Sequence, residues 1–403
     1  MREELRKCSH GKTFSFPPEN VLVENFLCFH RVQGEVASAA KILYADFSSC
    51  LRTESPLNMA KLPPPTSVLA AYRKVFSQGE ITKIDDLAGA GGFSGAALWR
   101  ISVQENRFCL RRWPKENPTY ERLLWIHGVI QITSVEFPNR LAVPHLTSDG
   151  ESFLRFDGSY WELTPWLPGE ANFFQHPSEA KLASAMTGLA QFHLASAKIL
   201  PSSTSRVPKN VASRCGLMRW WLDGGLDRLS ESLSSLSSRA WPEGKHHAEL
   251  RLKKVRSLLL QQLNKSESLR QPVPILPCFR DLWHDHLLFE GDQLSGIVDY
   301  GAMDVESVAS DLSRLLGSLL EDDYSRWREA LACYESTRPL NGAERRLLCF
   351  YDETSVLMSG LQWLQWIFLE GRTFAEMAPI EERLQTNWRR IQHLANRSQH
   401  PPL

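Results

Sequence analysis

Apolar positions change their spacing twice along this chain. Residues 1–66 hold no long periodic segment; polar and apolar residues mix, and Pro63-Pro64-Pro65 breaks any element there. This part reads as an N-terminal extension, with Met59 as an alternative start just ahead of a first helix at 67–76. From Ile81 the alternation becomes that of strands: 84–87, 97–103 and 107–112, the last two joined by the turn Gln104-Glu105-Asn106. A helix follows at 118–130, with Leu123, Leu124 and Ile126 on its apolar side. The turns Asp149-Gly150 and Asp157-Gly158 bracket a strand at 152–156, and the second leads into a strand at 159–165. Asp-Gly suits such turns because both residues tolerate positive φ.

After Gly169 the spacing turns helical. Leu182, Met186, Leu189 and Phe192 recur at helical intervals behind the start signal Pro177-Ser178. Further helices are expected at 218–236, 248–263, 305–320, 323–334 and 342–368, with a mobile tail from 396. The pattern predicts an α+β protein of two lobes: a β-rich lobe at 67–165, then a larger, mostly helical lobe at 166–395. A cleft between such lobes is a usual place for a ligand.

Composition narrows the function classes. The 403 residues are 43% hydrophobic and 23% charged, as in a globular protein with a sizeable core. Lys plus Arg and Asp plus Glu are 46 each, so no charge bias points to nucleic acid or membrane. No run approaches the roughly 18 apolar residues of a membrane span. The eight cysteines form no C-x-x-C pair, which favours reduced thiols and a cytoplasmic location.

The chemistry concentrates in "FRDLWHDHLLFEGDQLSGIVDYG", residues 279–301. Singly, its carboxylates are commonest as turn or cap residues. Together they match what phosphoryl transfer needs: one carboxylate for the acceptor hydroxyl, a second for a metal, and a further ligand five residues after the first. Asp281, Asp299 and His286 fill those places. The residues between read as two short strands around Glu290-Gly291-Asp292, and such a hairpin brings 286 and 299 to its open end. His284 reads as a loop-packing residue and Asp285 as solvent-facing.

The stretch resembles the aminoglycoside phosphotransferase and choline kinase-like family, a branch of the protein-kinase-like fold, in which H-G-D-x-x-x-x-N precedes a hairpin and I-D-[FW]. The 18-residue separation of Asp281 and Asp299 is typical of it. "LAQFH" at 189–193 and "WELTPWLPG" at 161–169 resemble that family's pre-catalytic helix and its hinge. The resemblance implies ATP with Mg²⁺, transfer to the hydroxyl of a small molecule, and adenine against the backbone from Leu163 to Trp166. Gly89, Gly91, Gly92 and Ser94 would position phosphates, Arg111 would stand for the strand lysine, and Glu121 would pair with Arg111. Asp311 would brace the catalytic loop, and Glu306 would cap the helix at 305–320. The acceptor pocket would draw on Trp363, Trp366 and Asp322 from the C-terminal helices.

Two departures stand out. Phe279 replaces the family's histidine, a scaffold residue that an aromatic ring can replace by packing. His286 replaces asparagine, and imidazole suits softer metals than Mg²⁺, so Mn²⁺ or an inactive nucleotide-binding homologue are alternatives. A metal-dependent hydrolase built on Asp281, His284 and His286 is a third.

Overall fold

The structure is a computed structural model that describes residues 64–87, 95–201, 204–235, 242–372 and 378–396. The N-terminal extension to residue 63, the loop carrying Gly89, Gly91, Gly92 and Ser94, and the tail from 397 lie outside the described residues.

Helix α1 (Thr66–Ala71) and a 3-10 turn (Val75–Gln78) lead into β1 (Ile81–Asp86), β2 (Ala97–Val103) and β3 (Asn106–Arg112). Helix α2 (Tyr120–Ser134) follows, then β4 (Leu154–Phe156) and β5 (Ser159–Pro165). The five strands form one antiparallel sheet in the order β1-β2-β3-β5-β4. Strand alternation sends Trp99, Ile101, Val103 and Leu110 to the face covered by Val68 and Tyr72, and Trp99 stacks on Trp161 at 5.4 Å. Thr119 caps α2 by accepting the Arg122 N–H at 3.3 Å.

The second lobe opens with α3 (Glu179–Ala197), capped by Ser178. After β6 (Ser205–Arg206) come α4 (Lys209–Trp220), α5 (Leu226–Ser235) and α6 (Pro242–Ser266). The helix expected at 218–236 is divided, because Asp223 and Gly224 leave helical geometry, Gly224 with φ 113°. Strands β7 (Val273–Pro274) and β8 (Leu276–Cys278) precede the hairpin β9 (Leu287–Glu290) and β10 (Gln293–Ile297). Strand β11 (Asp304–Glu306) pairs with β8, so the helix expected from 305 starts later, as α7 (Ala309–Leu320). Helices α8 (Tyr324–Glu335), α9 (Gly342–Leu364) and α10 (Ala378–Asn396) complete the lobe. The chain thus has the bilobal protein-kinase-like architecture, a small β-rich lobe followed by a helical one.

The hairpin is held from both sides. β10 is bridged by Leu141 at Ile297, β9 by Glu170 at Phe289, and Ser184 on α3 accepts the Leu294 N–H at 2.8 Å. At Gly169 (φ 91°) an added Cβ would lie 2.2 Å from Ser295 Oγ and 2.8 Å from Phe289 O. Only glycine lets the hinge approach the hairpin this closely.

Candidate active site

Strand β8 ends at Cys278, and the chain crosses towards the cleft through Phe279, Arg280 and Asp281. Arg280 turns it with φ 67°. Asp311, at the start of α7, receives the Phe279 N–H on Oδ2 (2.9 Å) and the Arg280 N–H on Oδ1 (2.6 Å). His193 lies 3.0 Å from the same Oδ2 and 2.8 Å from the Tyr334 hydroxyl. Burial keeps the His193 imidazole below its usual pKa, so it is neutral at pH 7. The histidine of "LAQFH" therefore fastens α3, α7 and α8 to the loop before Asp281.

Phe279 is buried against Phe192, with ring centroids 4.2 Å apart, and lies 6.1 Å from Tyr300. Tyr300 donates to Ile297 O at 2.7 Å and accepts the Ala142 N–H at 2.6 Å. An aromatic layer thus joins the loop before Asp281 to the segment after Asp299.

Asp281 is exposed, and its Oδ1 accepts Arg314 Nε from α7 at 2.9 Å. Among the described residues nothing bonds its Oδ2. Five residues on, His286 ends a short 3-10 turn (His284–His286). His286 Nδ1 lies 2.9 Å from Asp281 O, and Trp283 Nε1 donates to His286 Nε2 at 2.7 Å. An indole N–H only donates, so Nε2 accepts and Nδ1 carries the hydrogen given to Asp281 O. Both ring nitrogens are in use.

The hairpin closes with Val298 N–H on His286 O at 2.9 Å, which delivers Asp299 beside His286. Asp299 Oδ2 is 3.6 Å from His286 Nε2, and Oδ1 is 3.5 Å from Arg111 Nη1. Asp299 has φ 65°, an uncommon backbone for a non-glycine residue. Burial pushes its carboxyl pKa up, but the charge of Arg111 and the Gly301 N–H outweigh this, and the net shift is downward. Asp299 is ionised and retains an accessible face, which suits a hard divalent cation.

On the other lobe Arg111 projects from β3 over the Trp113 ring, 4.7 Å from its centroid. The carboxylates at Arg111 are Asp299 and, 3.7 Å from Nε, Glu162 on β5. The expected pairing with Glu121 does not form: Glu121 is exposed on the first turn of α2. Glu162 is buried, faces Arg111 across the β3–β5 ladder, and meets His127 of α2 at 2.8 Å. Its pKa is lowered: burial raises it, and His127 and Arg111 more than offset that. α2 reaches the other lobe through Arg122 Nη2 on Met303 O.

Leu163 is buried in β5, where its carbonyl accepts the His145 N–H at 2.7 Å, and the Trp166 N–H bonds Arg107 O at 3.0 Å. A hollow of ≈ 440 Å³ lies beside this hinge, lined by residues such as Trp166, Gly169 and Phe289 but by neither Asp281 nor Asp299. Trp366 is buried, edge-on to half-buried Trp363 at 4.9 Å. Asp322 is engaged by Arg390 Nε at 3.0 Å, and the same arginine holds Asp352 at 2.8 Å. Glu306 is buried in β11 rather than at a helix start, and accepts the N–H groups of Asn210 and Ser307. His284 packs edge-on to Phe174 at 4.6 Å. Among the described residues, the one trio near enough to share a metal is buried His193, Cys278 and Asp311, not Asp281, His284 and His286.

A family model described as a phosphotransferase enzyme family matches residues 88–347. No curated protein matches the chain. An aminoglycoside phosphotransferase from Alicyclobacillus acidocaldarius superposes with a TM-score of 0.62 at 14% identity, covering 84% of this chain and 97% of that one. A spectinomycin phosphotransferase solved with ADP and spectinomycin gives 0.56 at 11% identity, covering 80% and 93%. An amicoumacin kinase solved with AMP-PNP and Ca²⁺ gives 0.52 at 13% identity, covering 81% and 96%.

Proposed function

The chain belongs to the phosphotransferase enzyme family, and from that premise we propose that it moves the γ-phosphoryl group of ATP to a hydroxyl of a small molecule in the cytoplasm. The observation that carries this reading is the meeting of Arg111 and Asp299 across the cleft at 3.5 Å, beside the loop that presents Asp281. A cation for phosphate, a carboxylate for a metal and a carboxylate for the acceptor then stand around one opening.

Asp281 orients and deprotonates the acceptor hydroxyl through Oδ2, while Arg314 holds Oδ1. Arg111 turns its guanidinium to the phosphates; among the described residues its Nη2 makes no hydrogen bond. Asp299 would hold Mg²⁺ or Mn²⁺, which would neutralise phosphate charge when bound. His286 orients the Asp281 backbone through Nδ1 and would reach a metal only by giving up Trp283. Adenine is assigned to the hinge from Leu163 to Trp166, through groups other than the Leu163 carbonyl and the Trp166 N–H. Gly89, Gly91, Gly92 and Ser94 are assigned to the phosphates. For the acceptor, Trp363 supplies the more accessible ring, with Trp366 packed behind it. Asp322 is already engaged by Arg390.

A second reading has one observation in its favour. Both nitrogens of His286 are engaged at the place of the family's asparagine, as expected for a homologue that binds nucleotide without transferring phosphate.

Thermal unfolding with ATP and Mg²⁺ tests the nucleotide site. Ligand at about 100 times its Kd should stabilise the wild type by about 2.7 kcal/mol. Asp299→Ala should abolish that gain while remaining folded; a gain that survives would remove Asp299 from the metal site.

A further inference from the structure

Glu162 is a buried carboxylate, the one acid of its strand, and phosphoryl transfer by Asp281, Arg111 and Asp299 leaves it no step. Burying a carboxylate is costly unless it is paired and hydrogen-bonded. The pairing here is elaborate. His127 Nε2 lies 2.8 Å from Glu162 Oε2, and Ser152 Oγ lies 2.9 Å from His127 Nδ1. An ionised carboxylate only accepts, so Nε2 carries the hydrogen shared with Glu162. The other oxygen, Oε1, faces Arg111 Nε at 3.7 Å. Phe153 packs edge-on to His127, with ring centroids 5.5 Å apart. The row Ser152, His127, Glu162, Arg111 therefore ends at Asp299 in the cleft.

We propose that Glu162, fastened by His127, is the positioning residue that aims Arg111 at the phosphates of the bound nucleotide. The inference rests on the phosphotransferase reading. Three features support it. Glu162 and Arg111 are cross-strand partners, so their separation follows from sheet register rather than from a movable loop. The helix acid expected for this role, Glu121, is exposed. The contact uses only Nε, so among the described residues Nη2 stays available.

The test is a double-mutant cycle on nucleotide affinity. ATP with Mg²⁺ is titrated into wild type, Glu162→Gln, His127→Gln, Arg111→Met and both double variants with Arg111→Met, with thermal unfolding of each variant alongside. Glu162→Gln should weaken ATP by about tenfold, the loss of one charge-assisted contact. His127→Gln should weaken it by a smaller factor. In the Arg111→Met background neither change should cost further affinity, although each still lowers the unfolding temperature. Affinity within roughly twofold of wild type for Glu162→Gln, or an equal loss with and without Arg111, overturns the proposal. If Glu162→Gln fails to fold, the His127→Gln arm carries the same comparison with the same two outcomes. A wild type that binds no ATP removes the phosphotransferase reading itself, and this inference with it.

Discussion

The two sides of the cleft are built differently. On the helical side, Asp281, His286 and Asp299 come from one stretch of chain, and a hairpin's register brings its ends together. On the sheet side, Arg111, Glu162, His127 and Ser152 come from β3, β5, α2 and the approach to β4, and only the folded sheet joins them. Arg111 and Asp299, where the sides meet, are 188 positions apart. The helical side is braced beneath by a buried hydrogen-bonded layer, His193 and Asp311, whereas the sheet side is braced by a row of polar side chains that ends in the Glu162–Arg111 ion pair. A fault in the first should therefore appear as lost stability, and a fault in the second as lost affinity.

The largest stability effect is expected at Asp311. Asp311→Ala leaves His193 and the N–H groups of Phe279 and Arg280 without their acceptor, all in or next to the core. Leaving a buried donor unsatisfied costs about 1–3 kcal/mol per group, so the three together should cost several kcal/mol, measurable by urea unfolding. A loss below about 1 kcal/mol would dissolve the contrast between the two sides.

An intermediate effect is expected from pH. Burial holds the imidazoles of His145, His193 and His284 below their ordinary pKa. Their unfolded forms take up protons at about 6.5, before the folded forms do. The stability they contribute is complete above that pH and is lost as pH falls towards the lowered folded values. Urea midpoints should fall from about pH 7 to about pH 5.5, and His193→Gln should flatten the slope. A flat profile in the wild type would contradict the buried neutral state of His193.

The smallest effect belongs to Glu121. On the exposed first turn of α2, Glu121→Gln should change stability by no more than about 0.5 kcal/mol and leave ATP affinity unchanged. Weakened ATP binding would move the positioning of Arg111 from Glu162 back to Glu121.

The same contrast explains what the chain disclosed before its structure was known. The β-rich lobe, the helical lobe and the hairpin were legible because turns and periodicity are local signals; the strands expected at 97–103 and 159–165 are β2 and β5. The meeting of His286 and Asp299 needed only the hairpin geometry. Glu162 was overlooked because cross-strand neighbours depend on register, although a lone acid inside "SYWELTP" was the available signal. His127 gave less warning, as one polar residue among apolar helix positions. β11 was misread as helix because its three residues are too few to show a period. α10 was not anticipated, yet Ile380, Leu384 and Ile391 mark its buried side. The resemblance implied an acceptor role for Asp322, and Arg390, 68 positions away, gives it a structural partner.

The central claim is that Asp281 and Asp299 serve phosphoryl transfer to a small-molecule hydroxyl. The most direct measurement is ATP turnover against a panel of small-molecule alcohols with Mg²⁺ and with Mn²⁺, wild type beside Asp281→Ala. The account predicts acceptor-dependent release of ADP by the wild type, and a loss of about 10³-fold in Asp281→Ala with ATP affinity kept. ATP binding without transfer to any acceptor under either metal, or turnover unchanged in Asp281→Ala, would contradict it.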